Sequence, residues 1–138
     1  MPSQRNRPLL IWSSVIGVVA LALLALYADS RYEAADLRAK AEAMTMGKVA
    51  AGQVAFGKYN CGACHTILGV SGANGTVGPP LDGVAARGII GGRLANNPTN
   101  MMQWIQDPQH VSPGTAMPNL GVTPQDSRDI AAFLYTRT

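Results

Sequence analysis

Cys61-Gly62-Ala63-Cys64-His65 is the stretch on which the reading of this chain turns. Two thiols three positions apart can each add to one vinyl group of a haem, giving two thioethers from one turn of chain. The adjacent His65 then faces the iron from the same side. This five-residue spacing is the attachment signal for haem c. It predicts one covalent haem, held through Cys61 and Cys64, with His65 as an iron ligand. Two other readings of the cysteine pair compete. A thioredoxin-type dithiol wants a strand before the motif, whereas a helical pattern precedes it here. Half a zinc site wants two more ligands at zinc spacing, and outside the motif His110 is the remaining histidine.

The second axial ligand has six candidates: Met44, Met46, Met101, Met102, Met117 and His110. Met101 and Met102 fall at helical positions, where methionine commonly fills a core. Met44 and Met46 precede the domain. Met117 lies in Ser112-Pro113-Gly114-Thr115-Ala116-Met117-Pro118, a loop stiffened by two prolines that can hold a thioether at a fixed distance from iron. The plainer alternatives are Met117 as a core side chain and His110 as a solvated one. With imidazole and thioether both bound, the iron has no open position, and sulfur raises its potential relative to a second imidazole. That favours an electron carrier over an enzyme, with no small-molecule substrate. The competing class is a haem enzyme or gas sensor in which Met117 dissociates.

Outside this motif the chain has 138 residues, a prior of about one domain. Charged residues are 14% and apolar residues 47%, which excludes intrinsic disorder. The formal charge is +3, but Arg5 and Arg7 precede the apolar run, leaving nine basic and eight acidic groups beyond Ala28. A near-neutral remainder argues against nucleic acid as a partner. Two cysteines are too few for a disulfide-dense scaffold or a four-cysteine metal site.

Pro8 to Ala28 reads PLLIWSSVIGVVALALLALYA, 21 residues without a charge. As a helix they extend about 30 Å, the thickness of a bilayer's hydrocarbon. Trp12 and Tyr27 near the ends suit the two interfaces. The run is longer than the apolar part of a signal peptide, and Leu26 and Tyr27 crowd a cleavage site before Ala28. Residues 1–28 are therefore expected to be a retained membrane anchor, with lipid as its partner. Arg5 and Arg7 on one flank face Arg31, Arg38 and Lys40 on the other, so charge does not orient it. Residues 29–47 read as a helical linker of Ala, Leu, Arg, Glu and Lys.

Residues 48–138 carry helical periodicity and no convincing strand alternation, so the fold class is all-α with long loops. Lys48 to Tyr59 reads as a short helix on which Val49, Gly52 and Phe56 share a face. Ile67 to Pro98 holds eight of the chain's 15 glycines, which is loop composition. Asn97 and Pro98 then begin a helix to Gln106, ended by Asp107-Pro108. A loop from His110 to Leu120 follows. Thr123, Pro124 and Asp126 open the last helix, whose apolar face is Ile130, Phe133 and Leu134.

From about Gly47 to Thr138 the sequence resembles class I c-type cytochromes. The shared marks are Gly52 and Phe56, Cys61 to His65, Gly78-Pro79-Pro80-Leu81, Pro113-Gly114-Thr115-Ala116-Met117 and the terminal helix Asp129-Ile130-Ala131-Ala132-Phe133-Leu134. The resemblance implies that Gly52 and Phe56 cross against Ile130 and Phe133. It also implies that the Pro79 carbonyl takes the free ring nitrogen of His65, and that Trp104 stands near the methionine ligand. Arg93 is a candidate partner for a haem propionate, or a solvated cation. Asn97 through Pro118 is especially similar to the cytochrome c domain fused to subunit II of some bacterial haem–copper oxidases. The chain departs from that fusion in having one apolar span, no cupredoxin domain and no copper-binding cysteine pair. The expectation is a membrane-anchored cytochrome in the bacterial cytoplasmic membrane, single-pass, with its haem domain on the periplasmic side. Its partners would be a quinol-oxidising complex and a terminal oxidase or reaction centre, with the cytochrome as tethered carrier or fixed subunit of a complex.

Overall fold

A computed structural model describes residues 7–138, with side chains from Trp12 onward. Arg5 and the side chain of Arg7, which bear on orientation, lie outside the described residues. The first element, α1, is one helix over Arg7–Thr45. The chain divides into two compact units, Met1–Asp36 and Leu37–Thr138.

In the first unit every described side chain from Trp12 to Asp36 is exposed, including Ile16, Leu21, Leu24 and Leu26. A helix apolar on all sides belongs either in a core or in lipid. This one is long and apolar enough to cross a membrane. At its polar end Ser30 Oγ donates to Tyr27 O at 2.8 Å, and the Arg31 guanidinium lies 5.9 Å from the Tyr27 ring centre.

The second unit begins ten residues before Gly47, where the sequence reading opens the domain. The last turns of α1 are core rather than stalk, because Ala41 and Thr45 are fully buried. Thr45 Oγ1 donates to Ala41 O at 2.8 Å and accepts Gly47 N–H at 3.2 Å, closing the helix end. Carboxylates from both directions meet the next helix, α2 (Val49–Lys58). Glu42 accepts Val49 N–H at 3.0 Å, and Asp129 accepts Lys48 N–H at 2.7 Å. Free N–H groups and the positive end of the helix dipole favour negative charge there. The Val49 N–H, then the Lys48 ammonium, hold the Glu42 carboxyl below its ordinary range.

After α2 come a 3-10 turn at Cys61–Ala63, another at Val84–Ala86, and strands β1 (Ile89–Ile90) and β2 (Leu94–Ala95). Then follow α3 (Pro98–Gln106), α4 (Pro108–Val111) and α5 (Pro124–Tyr135). The α3 and α5 starts fall where the local signals put them. Asn97 accepts Asn100 N–H at 2.9 Å and Thr123 accepts Asp126 N–H at 3.1 Å, each with proline in the first turn.

Two departures from the sequence reading concern short elements. The antiparallel pair β1–β2, with Ile90 opposite Leu94, stands in a region read as loop. Strands of two residues are too short for alternation to register. The first residues of the stretch read as a loop from His110 to Leu120 belong to the helical turn α4. Asp107 leaves the helical conformation at the end of α3, with φ −145° and ψ 70°, and its carboxylate accepts His110 N–H at 3.1 Å, starting the next turn.

The core is the crossing of α2 on α5. Phe56 and Phe133 are buried with ring centres 5.7 Å apart and planes inclined at 56°. This tilted arrangement suits aromatic quadrupoles. Gly52 makes the approach possible, since a Cβ there would lie 2.8 Å from Phe133 Cβ. The implied crossing of Gly52 and Phe56 on α5 is what the structure contains. α3 lies against α5 as well, with Met101 and Ile105 buried and Gln106 Nε2 donating to Ser127 Oγ at 2.9 Å.

Candidate functional site

A cavity of about 530 Å³ opens in the second unit, within the usual size range of cofactor sites. One turn of chain presents the motif to it. Asn60 takes a left-handed φ of 55°, and the Cys61 carbonyl then accepts both Cys64 N–H at 3.2 Å and His65 N–H at 3.0 Å. Cys61, Cys64 and His65 all line the cavity as a result. Both cysteines are free thiols. Burial, opposed by a backbone hydrogen bond, pushes the Cys61 thiol up to about 11, so it stands protonated.

The loop after the motif sets the imidazole. His65 Nδ1 and Pro79 O are 2.8 Å apart. A carbonyl only accepts, so Nδ1 is the donor, which leaves Nε2 as the ring nitrogen that would meet a metal. Such a hydrogen bond on the far nitrogen fixes ring orientation and raises ligand basicity. Gly78 lies flat against the ring, where a Cβ would stand 2.6 Å from Nδ1. Gly78 N–H to Cys64 O and Leu81 N–H to Thr66 O, both 2.8 Å, seat the loop along the motif.

Met117 reaches the same cavity from the loop after α4, with Thr115, Ala116 and Pro118 beside it. Of the other candidate ligands, Met101 also lines the cavity, but as a buried side chain of α3. Met44 and Met46 are exposed before α2, and Met102 and His110 line a separate surface groove. Trp104 lines the cavity from α3. The turn between β1 and β2 backs it, and a Cβ on Gly91 would lie 2.5 Å from its ring.

Arg93 is not brought to the cavity. Its Nε donates to Ser112 Oγ at 3.0 Å. The cation at the cavity is Arg87, which carries the formal charge among the described lining residues. Its Nη2 donates to Pro80 O and, at 3.2 Å, to Asp82 O, bracing the loop that holds Pro79. Its place six residues after Leu81, in the loop following Gly78-Pro79-Pro80, was the available signal.

The donor set fits a haem. Two thiols, a ring nitrogen and a thioether converge on walls made by Phe56, Leu81, Ile90, Ile105 and Leu134. Among the described residues no carboxylate lines the cavity and no cluster of His, Cys, Asp or Glu could hold a bare metal ion.

The family model for cytochrome c matches residues 49–138. Over 84 residues, 60% of the chain, the sequence is 32% identical to cytochrome c oxidase subunit 2 of Alkalihalophilus pseudofirmus. The match covers 24% of that relative, so the chain spans about a quarter of its length. No solved structure matches the chain significantly. The family binds haem and works by electron transfer. With the match running from the first residue of α2 to the C-terminal threonine, the chain belongs to the cytochrome c family.

Proposed function

We propose that the protein is a mono-haem c-type cytochrome that passes single electrons in a membrane electron-transport chain. Cys61 and Cys64 would form the thioethers, and His65 Nε2 and the Met117 sulfur would be the axial ligands. The observation that carries this is the convergence of the four side chains on one cavity, with His65 pre-set by its 2.8 Å contact to Pro79 O. Bound haem supplies a one-electron ferric/ferrous couple. The residues hold its environment constant between the two states. Pro79 and Gly78 keep the imidazole from turning, the thioether favours the reduced form relative to a second imidazole, and the apolar walls exclude water. Arg87, on the cavity wall, is placed to meet a propionate.

The apolar part of α1 would anchor the chain in the cytoplasmic membrane with the haem domain on the periplasmic side, where haem is attached in this family. In that position the protein would carry electrons from a quinol-oxidising complex to a terminal oxidase or reaction centre, tethered or as a fixed subunit. The likeness to an oxidase subunit supports the respiratory setting. The test is optical. The ferric holoprotein should show the weak far-red charge-transfer band of His/Met coordination, and Met117→Leu should abolish it. Rapid carbon monoxide binding by the native reduced protein would refute the carrier reading. Loss of the band in Met101→Leu but not in Met117→Leu would move the ligand to α3.

A further inference from the structure

The loop that carries Met117 has little backbone structure of its own. Pro113 and Pro118 bring no N–H, and within the loop Thr115 N–H to Ser112 O at 3.0 Å is the internal backbone bond. What holds it is a side chain on α4. The Gln109 amide donates from Nε2 to Thr115 O and to Met117 O, each at 2.7 Å. Its Oε1 accepts Gly114 N–H at 3.1 Å. A primary amide has two N–H donors and one carbonyl, and all of them go to residues 114–117.

Gln109 is itself held in place. Its N–H donates to Asn119 Oδ1 at 3.3 Å, and Asn119 Nδ2 donates to Asp107 Oδ1 at 2.9 Å. Asp107 Oδ1 also accepts His110 N–H at 3.1 Å, which starts α4. The chain before the loop and the chain after it are thus tied to one another, and the amide reaches inward to the carbonyl of Met117 itself. Gln109 is half-buried, so the carbonyls it serves are partly shielded from water that would otherwise replace it.

We propose that Gln109 is a positioning residue for the Met117 thioether, keeping the sulfur from leaving the iron by fixing the backbone of residues 114–117. This rests on the reading of Met117 as axial ligand. The chemistry of sulfur sets how well it binds iron; the clamp sets how much of the time the loop offers it. Without the clamp, the balance between held and released loop shifts by the worth of one or two net hydrogen bonds, about tenfold or more.

The experiment uses the full-length ferric holoprotein titrated with imidazole, which competes with the sulfur for iron. Gln109→Leu keeps the side-chain bulk and removes the three hydrogen bonds. It should bind imidazole about tenfold or more tighter than wild type. A merely structural glutamine would lower the thermal midpoint while leaving the imidazole affinity in place, and that result overturns the proposal. Asn119→Ala, which removes the acceptor of the Gln109 backbone N–H and leaves the side-chain amide untouched, should shift the affinity the same way by less. It serves if Gln109→Leu does not accumulate folded, and an unchanged affinity there is equally fatal. A wild-type protein lacking the far-red band would instead strike down the ligand reading beneath. A present band with unaltered imidazole binding in the variants strikes down the clamp alone.

Discussion

Gly52 and Gly57 lie on the same helix, α2, and helix propensity treats them alike. Replacing a helical glycine by alanine removes backbone entropy from the unfolded chain and gains about 0.5–1 kcal/mol. Space separates them. A Cβ on Gly57 meets nothing within 4 Å, whereas one on Gly52 would stand 2.5 Å from the Asp129 carbonyl carbon and 2.8 Å from Phe133 Cβ. Those neighbours belong to the backbone and the root of a side chain in α5, so neither can swing away. Overpacking a core costs about 1–3 kcal/mol, occasionally more, and a clash with backbone and a side-chain root sits at the upper end. Gly52→Ala should therefore lose about 2 kcal/mol net, strain outweighing propensity. Gly57→Ala should gain up to about 1 kcal/mol. For a unit of this size each kcal/mol moves the melting midpoint by about 4–8 °C. Thermal unfolding of the holoprotein, followed by far-ultraviolet circular dichroism, should show the Gly52 variant lower by on the order of 10 °C. The Gly57 variant should melt a few degrees higher. If both midpoints rise together, α2 and α5 do not cross as closely as described, and the reading of the core fails.

Asp126 offers a pH test. The Lys58 ammonium at 2.8 Å, then the Tyr59 hydroxyl at 2.6 Å, hold its carboxyl down at about 2 from the ordinary 3.8. The unfolded chain therefore takes up this proton first, and the stabilisation is whole above pH 4 and lost as pH falls toward 2. Denaturant midpoints of wild type and Asp126→Asn should converge across that window, and a gap independent of pH would contradict the assignment. Removing the two thiols proposed to hold the haem tests the energetics of the cavity. Cys61→Ala/Cys64→Ala, isolated without haem, leaves about 530 Å³ of apolar-walled space at the centre of a small domain. Domains of this size bury a limited share of their surface. The variant should lack a cooperative thermal transition, and a sharp one would show that the protein core suffices alone.

What the sequence determined by itself lies where the physics is local. Five residues carry the attachment signal for haem c, because two thiols and an imidazole within one turn need no help from distant chain. The caps at Asn97 and Thr123, with proline after each, set helix starts through backbone donors a few positions away. An uninterrupted apolar run is a statement about solvent, and it reads the same in any fold. The tertiary structure decided whatever depends on which distant segments meet. Arg87 rather than Arg93 faces the cavity because Pro80 and Asp82 carbonyls hold it there. Ala41 and Thr45 pass from linker to core because Glu42 and Asp129 converge on the start of α2 from opposite sides in sequence. Gln109 looks like any polar residue after a proline until folding lays three loop groups against its amide. A side-chain hydrogen bond spans about 3 Å in space and any distance along the chain, so no periodicity or spacing announces it.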